Sequence, residues 1–369
     1  MLALTWVALI LVVGGGLGWL AWLGPVAPQM ADAVDAPPPV TVTAPERPAP
    51  VPAEAAPAAA PRPTANAPAP DPGLGADASP AAARPIPAPD PDLLEPGKFG
   101  PMPRIGPQGR SAIRTYGRPF DRQDPRPRVG LIIGGLGLNA ALAEEAIRRL
   151  PGPVALAFSP YAPHLDRLLD QARAKGMEVL LALPLEPTGY PLNNPGDRAL
   201  LTGLADAENG DRLDWSMSRF AGYVGAIGAH GPMRGERFAL LPDRMGALQR
   251  SLALRGLLYI DPRPGAPQPA RAWGRTIDIL IDEPATRGEI DRKLEALERL
   301  ARERGTALGY AGEPSPVLVE RVAIWAGGVE ARGLALAPVT ALIRAPAEAT
   351  APTAAVTPAQ APAPRGGAR

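Results

Sequence analysis

The sequence predicts an α/β fold, a (β/α) barrel of seven or eight strands, and three observations carry that expectation. From Arg128 onward, short apolar runs alternate with longer amphipathic ones, the rhythm of βαβ units around a parallel sheet. The stretch with this rhythm, residues 128–344, has the length of one α/β domain. Seven or eight strand-like runs suit a closed ring better than a short open sheet, although a doubly wound sheet shares the pattern.

The flanks read differently. Of the 50 prolines in the 369-residue chain, 27 lie between residues 25 and 127, among many alanines. Such a composition buries too little apolar surface to offset its ordering entropy, so 25–127 is expected to be a disordered linker and 345–369 a disordered tail. Residues 1–24, MLALTWVALILVVGGGLGWLAWLG, contain no charged side chain. A bilayer is crossed by about 20 apolar residues, so this segment is expected to be a transmembrane anchor, with Trp6, Trp19 and Trp22 near its ends as interface aromatics. The alternative is a cleaved signal peptide, which normally has a basic start and an apolar core of only about 7–15 residues. Charge does not orient the segment, because the first arginine is Arg47. An apolar segment followed by a long tether suggests a single-pass protein of a bacterial inner membrane with its globular domain in the periplasm. The chain has no cysteine, hence no disulfide and no thiolate ligand or nucleophile. A net charge of +1 gives no support to nucleic-acid binding.

Taken in order, the strand candidates are VGLIIG (129–134), VALAF (154–158), EVLLAL (178–183), YVGAIG (223–228), LLYID (257–261), IDILID (277–282), TALGY (306–310) and LALAPV (334–339). Helix candidates fall near 139–150, 163–175, 211–221, 242–255, 286–304 and 316–331. Thr286 and Glu289 have capping-box spacing at the start of the fifth helix. In a barrel the chemistry lies on loops after the C-terminal strand ends. That rule selects Gly134 and Gly135, Tyr161 and His164, Glu186, His230, Asp261 and Arg263, Asp282, and Tyr310 and Glu313.

Gly135, Gly137 and Ala140 also match the dinucleotide pattern G-x-G-x-x-G/A. That site needs an acid about 20 residues on to hold the ribose. Here the next strand runs into Ser159-Pro160-Tyr161, and the nearest acid, Asp166, falls inside a helix pattern. Dinucleotide binding is therefore the weakest of the readings, and a turn needing backbone freedom accounts for the glycines.

The segments IIGGLG (132–137), LPGPVALAFSPYAPHLDRLLDQARAKGMEVLLALPLEP (150–187), GYVGAIG (222–228), GLLYIDPRPG (256–265) and IDILID (277–282) together resemble the divergent polysaccharide deacetylase family. The resemblance implies a distorted (β/α) barrel with a carbohydrate-facing groove at the C-terminal strand ends. Related esterases hold a metal, commonly zinc, with one carboxylate and two imidazoles, and use a second carboxylate as base and a further histidine as acid. Where many members carry two aspartates, this chain has Gly134 and Gly135, and glycine is neither ligand nor base. A histidine expected before LPLEP is Ala182, and the Gly-His-Pro turn near the seventh strand reads GYAGEPSP. His164, Glu186, Asp261, Arg263, Asp278 and Asp282 carry over.

Counting reaches the same place. Two histidines and no cysteine cannot supply two imidazole ligands and a separate histidine acid. No cofactor is expected; zinc enters only if His164, His230 and Glu186 rebuild a smaller site. The catalytic candidates are thus Asp261, Arg263, Glu186 and His164, and Tyr161, Tyr190, His230 and Tyr310 are candidates for binding sugar rings. Each has a plainer reading. His164 bonds a neighbouring loop, Glu186 is an N-cap or a surface acid, and Asp261 with Arg263 is an ion pair across Pro262. Asp278 and Asp282 mark the polar face of a strand, and Trp215 and Trp325 pack. The leading expectation is a membrane-anchored domain with a degraded metal site that binds envelope polysaccharide or an envelope protein. The alternative is an active polysaccharide deacetylase with a rebuilt site.

Overall fold

In the computed structural model, residues 84–346 are described. The segments expected as membrane anchor (1–24) and tail (345–369) lie outside them, apart from Ala345 and Pro346. Among the described residues no helix is long and apolar enough to cross a membrane.

The described chain opens with a hairpin, β1 (Leu94–Gly97) and β2 (Gly100–Pro103), and a one-turn helix α1 (Ala112–Thr115). Then the alternation begins: β3 (Arg128–Leu136), α2 (Ala140–Arg149), β4 (Ala155–Phe158), α3 (Asp166–Ala174), β5 (Val179–Ala182), α4 (Asp206–Met217) and β6 (Gly225–Ile227). It continues with α5 (Pro242–Leu254), β7 (Leu258–Asp261), β8 (Gly274–Thr276), β9 (Ile279–Leu280), α6 (Arg287–Arg304), β10 (Thr306–Ala311), α7 (Pro316–Gly327) and β11 (Ala335–Leu336). The strands are short and β4 to β7 are buried throughout, as parallel strands covered on both faces must be.

All pairings in the main sheet are parallel, in the order β8-β7-β6-β5-β4-β3-β10-β9, with β11 on β3. Of the predicted strand 277–282 only β9 is strand, and it continues an extended segment that begins with β8 just before it. The Ile277 amide donates to the Asp261 carbonyl of β7 (2.9 Å), and the next amide, Asp278, donates to Leu308 of β10 (2.8 Å). The segment thus changes partner within one residue and joins the two ends of the sheet. Read around the ring, the strands follow chain order with no switch point. The crevice that a doubly wound sheet offers a dinucleotide is therefore missing.

The linker expected over 25–127 is corrected at its end. Residues 84–127 pack on the barrel, with Ile86, Leu93, Met102 and Tyr116 buried in the same core cluster as the strands. The Ile86 amide donates to the Arg173 carbonyl (2.9 Å), and the Asp90 amide donates to the Tyr116 hydroxyl (2.8 Å). Composition conceals this because the few apolar anchors are spaced out between prolines, and two of those prolines open 3₁₀ turns, where a missing N–H is harmless. Helix α6 starts after Thr286 as expected. Thr286 makes no side-chain capping bond, however, and Glu289 pairs with Arg292 instead.

Glu178 fastens both flanks to the barrel. Its carboxylate, 1% exposed with its residue, accepts from the Arg118 amide (2.9 Å), the Thr340 amide (3.1 Å) and the Thr340 hydroxyl. Burial pushes its pKa up, against the pull of these donors. Replacing Glu178 with Gln turns one acceptor into a donor facing an N–H, so the variant should lose about 1–3 kcal/mol in urea unfolding followed by tryptophan fluorescence. Because the folded pKa is raised, the favourable contribution of Glu178 is full below its ordinary value of 4.5 and is lost as pH rises through the folded pKa. That slope should be missing in Glu178→Gln.

Candidate functional site

The C-terminal strand ends meet at a cavity of about 490 Å³ lined by Gly135, Asn139, His230, Pro232, Glu313 and Ser315, among others. Two helices start at this mouth. Asn139 caps α2 by accepting the Leu142 amide, and Ser315 caps α7 by accepting the Leu318 amide. The capping oxygens are therefore occupied.

Gly134 and Gly135 lie where β3 shifts register against β4, between Ile133 and Leu136. Gly135 has φ +67°, a backbone that glycine adopts freely. Gly134 is held by space instead: a Cβ there would lie 2.4 Å from the Tyr310 hydroxyl and 3.0 Å from its ring. Tyr310 is 1% exposed and donates its hydroxyl to the Gly231 carbonyl (2.7 Å). Tyr310 thus offers no stacking face for a sugar, contrary to expectation. Its ring fills the volume that a side chain at 134 would need.

The other expected residues are largely committed to holding loops. Glu186 is 3% exposed, neither an N-cap nor a surface acid. It accepts from the Thr202 amide and pairs with Arg237 at 3.0 Å, tying the loop after β5 to the loop after β6. Asp261 accepts from the Arg263 amide (3.1 Å), Nε (2.9 Å) and Nη2 (2.7 Å), the closed ion pair that the Pro262 geometry suggested. Asp278 binds the buried Arg275 (2.8 Å) and the Leu308 amide (2.8 Å). Asp282 accepts from the amides of Gly312 (2.8 Å) and Glu313 (3.1 Å), with its pKa pushed up by burial. His164 is exposed, with φ 53°, just before α3. Tyr190 is half-buried.

Tyr161 and His230 come together at the mouth, edge to face at 5.5 Å. Between them stands Ser159, which the sequence reading passed over as part of a turn. Its hydroxyl lies 2.9 Å from His230 Nε2 and accepts the Tyr161 amide (3.2 Å). His230 Nδ1 is buried without a partner, and burial pulls the imidazole pKa down to about 4. The Tyr161 hydroxyl accepts the Arg198 amide (2.9 Å), and burial pushes its own pKa up to about 12. Trp325 packs as expected, donating to Glu298 (2.7 Å). Trp215 is half-buried beside Tyr161.

The metal implied by the resemblance does not fit these residues. Among the described residues no three His, Asp or Glu side chains are grouped to hold an ion. The positions for the aspartates carry glycine, one under the Tyr310 ring and the other against the Gly312 carbonyl, Glu186 is bound to Arg237, and His230 is bound to Ser159.

The fold defines a singly wound parallel α/β barrel with a cavity at the C-terminal strand ends. Residues 131–343 match the divergent polysaccharide deacetylase family, and the chain belongs to it. The crystal structure of an uncharacterized protein from Agrobacterium tumefaciens C58 is similar, with 34% identity and a TM-score of 0.59 over 66% of this chain and 99% of that one. An uncharacterized protein of Haemophilus influenzae is 24% identical over 196 residues, 51% of this chain and 67% of the relative.

Two outcomes follow from the mouth geometry. Gly134→Ala overpacks the Tyr310 ring and should lower stability by about 1–3 kcal/mol, with Tyr310→Ala in the same chain recovering part of the loss in a double-mutant cycle. His230 should stay neutral from pH 8 to pH 5 in NMR titration. Since its folded pKa is about 4 against an ordinary 6.5, the unfolded chain takes up the proton first, and stability should fall as pH drops from 6.5 through 4, a slope that His230→Asn removes.

Proposed function

We propose that this protein is a non-hydrolytic envelope protein that binds polysaccharide at the barrel mouth, anchored in a bacterial inner membrane by residues 1–24 with the domain on the periplasmic side. One observation carries the reading: the Tyr310 hydroxyl stands 2.4 Å, and its ring 3.0 Å, from where a Cβ at Gly134 would be, so a metal-binding carboxylate has no room at that position. The family supplies the ligand class, and the apolar first segment supplies the membrane. The mouth holds an open cavity suited to a glycan chain, and beside its lining residue His230 lie the half-buried aromatics Tyr161 and Trp215.

Purified full chain should carry no stoichiometric zinc by elemental analysis, release no acetate from acetylated chito-oligosaccharides, and yet bind them in calorimetry. Acetate release that a chelator abolishes would overturn the reading.

A further inference from the structure

We propose that Arg198 and Arg219, converging on Trp215 at the rim of the mouth, form a subsite for an anionic saccharide unit, one carrying a carboxylate or phosphate. The inference deepens the polysaccharide-binding reading and rests on it for the saccharide, though not for the anion.

Trp215 projects from the last turn of α4 and lies 5.2 Å from the Tyr161 ring. The Arg198 guanidinium stands 5.8 Å from the Trp215 ring and that of Arg219 5.2 Å from it. Both arginines are exposed and Trp215 is half-buried. Two like charges on one ring repel each other, and each is held there by a separate tether. The Arg198 amide donates to the Tyr161 hydroxyl (2.9 Å), and Arg219 Nε donates to the Pro160 carbonyl (3.3 Å). These bonds engage the Arg198 backbone and only Nε of Arg219, so the terminal Nη donors of both remain for a ligand.

Among the described residues neither guanidinium forms an ion pair with a carboxylate, whereas Arg212, on the same helix as Trp215, pairs with Glu208 at 3.0 Å. Asp197 acts on the Tyr161 hydroxyl through its charge but pairs with neither arginine. An arginine stacked on an aromatic face keeps its planar fork oriented, which suits bidentate binding of carboxylate or phosphate. The position gives the saccharide. His230 lines the cavity and Tyr161 packs against both His230 and Trp215, so a chain leaving the cavity past His230 and Tyr161 would bring a following unit to the arginines.

Calorimetry on the full chain with trigalacturonate, a phosphorylated oligosaccharide and neutral chitotetraose tests this, and the first two ligands separate carboxylate from phosphate. At least one anionic ligand should bind more tightly than the neutral one and weaken with added salt. Arg198→Gln with Arg219→Gln should reduce that affinity roughly tenfold or more while sparing chitotetraose. Asp197→Asn should tighten it, and unchanged thermal unfolding verifies the fold of each variant. Equal anionic affinity in the double arginine variant, or no preference for either anionic ligand, overturns the subsite. Arginine-dependent anion binding with no chitotetraose binding would remove the neutral-glycan reading of the mouth and leave the subsite standing.

Discussion

A parallel sheet buried on both faces must hide its two edges, because an unpaired strand edge leaves N–H and C=O groups without partners. Here the segment Gly274–Leu280 meets that constraint by pairing with β7 and then with β10. The change of partner leaves a gap at the seam that backbone alone does not fill. Arg275, 3% exposed, occupies it, bonding Asp278 (2.8 Å), the Thr306 hydroxyl (2.8 Å) and the Thr306 carbonyl (3.1 Å). A buried guanidinium is tolerated only when its donors are satisfied and its charge is paired, and both conditions hold. Without the seam the mouth would not be a ring, and loops after β3, β6 and β10 would not converge on one cavity.

Convergence makes space scarce at the centre. Tyr310, on β10, reaches across the end of β3 and bonds the Gly231 carbonyl in the loop after β6. That single side chain links three of the loops that line the cavity, and it does so only because residue 134 has no Cβ. Glycine at 134 and tyrosine at 310 are thus one packing solution. A carboxylate placed at 134 would have to displace a fully buried ring and orphan a carbonyl, so a single substitution there is not accommodated.

Much of this was legible in the sequence. The strand order, the position of the mouth and the absence of carboxylates at 134 and 135 follow from alternation and from reading two residues against a family pattern. The ion pair of Asp261 and Arg263 was legible as well, because Pro262 fixes their spacing. What escaped depends on contacts distant in sequence. Tyr310 reads as a sugar-stacking residue because nothing local reveals that its ring lies over Gly134. Glu186 reads as a catalytic candidate, an N-cap or a surface acid because Arg237 is far along the chain, and the anchors Ile86, Leu93 and Met102 are lost among prolines. Ser159 gave a weak signal, a serine directly after a buried strand, but its partner His230 comes from a different strand end.

The fate of the carboxylates decides what kind of surface the mouth can present. Glu186, Asp261 and Asp282 are the acids that strand-end logic would assign to chemistry, and each accepts backbone N–H groups that would otherwise be unsatisfied in a loop. A carboxylate in that role is bound on its oxygens and is not free to take a proton or ligate an ion without releasing the loop it holds. The same bonds make the rim rigid, since each ties segments that have no regular structure of their own. The groups left partly exposed on this frame include Tyr161, Trp215 and the guanidinium groups beside Trp215. The acids at these strand ends are thus spent on structure, each holding a loop through backbone N–H groups that the loop itself leaves unpaired.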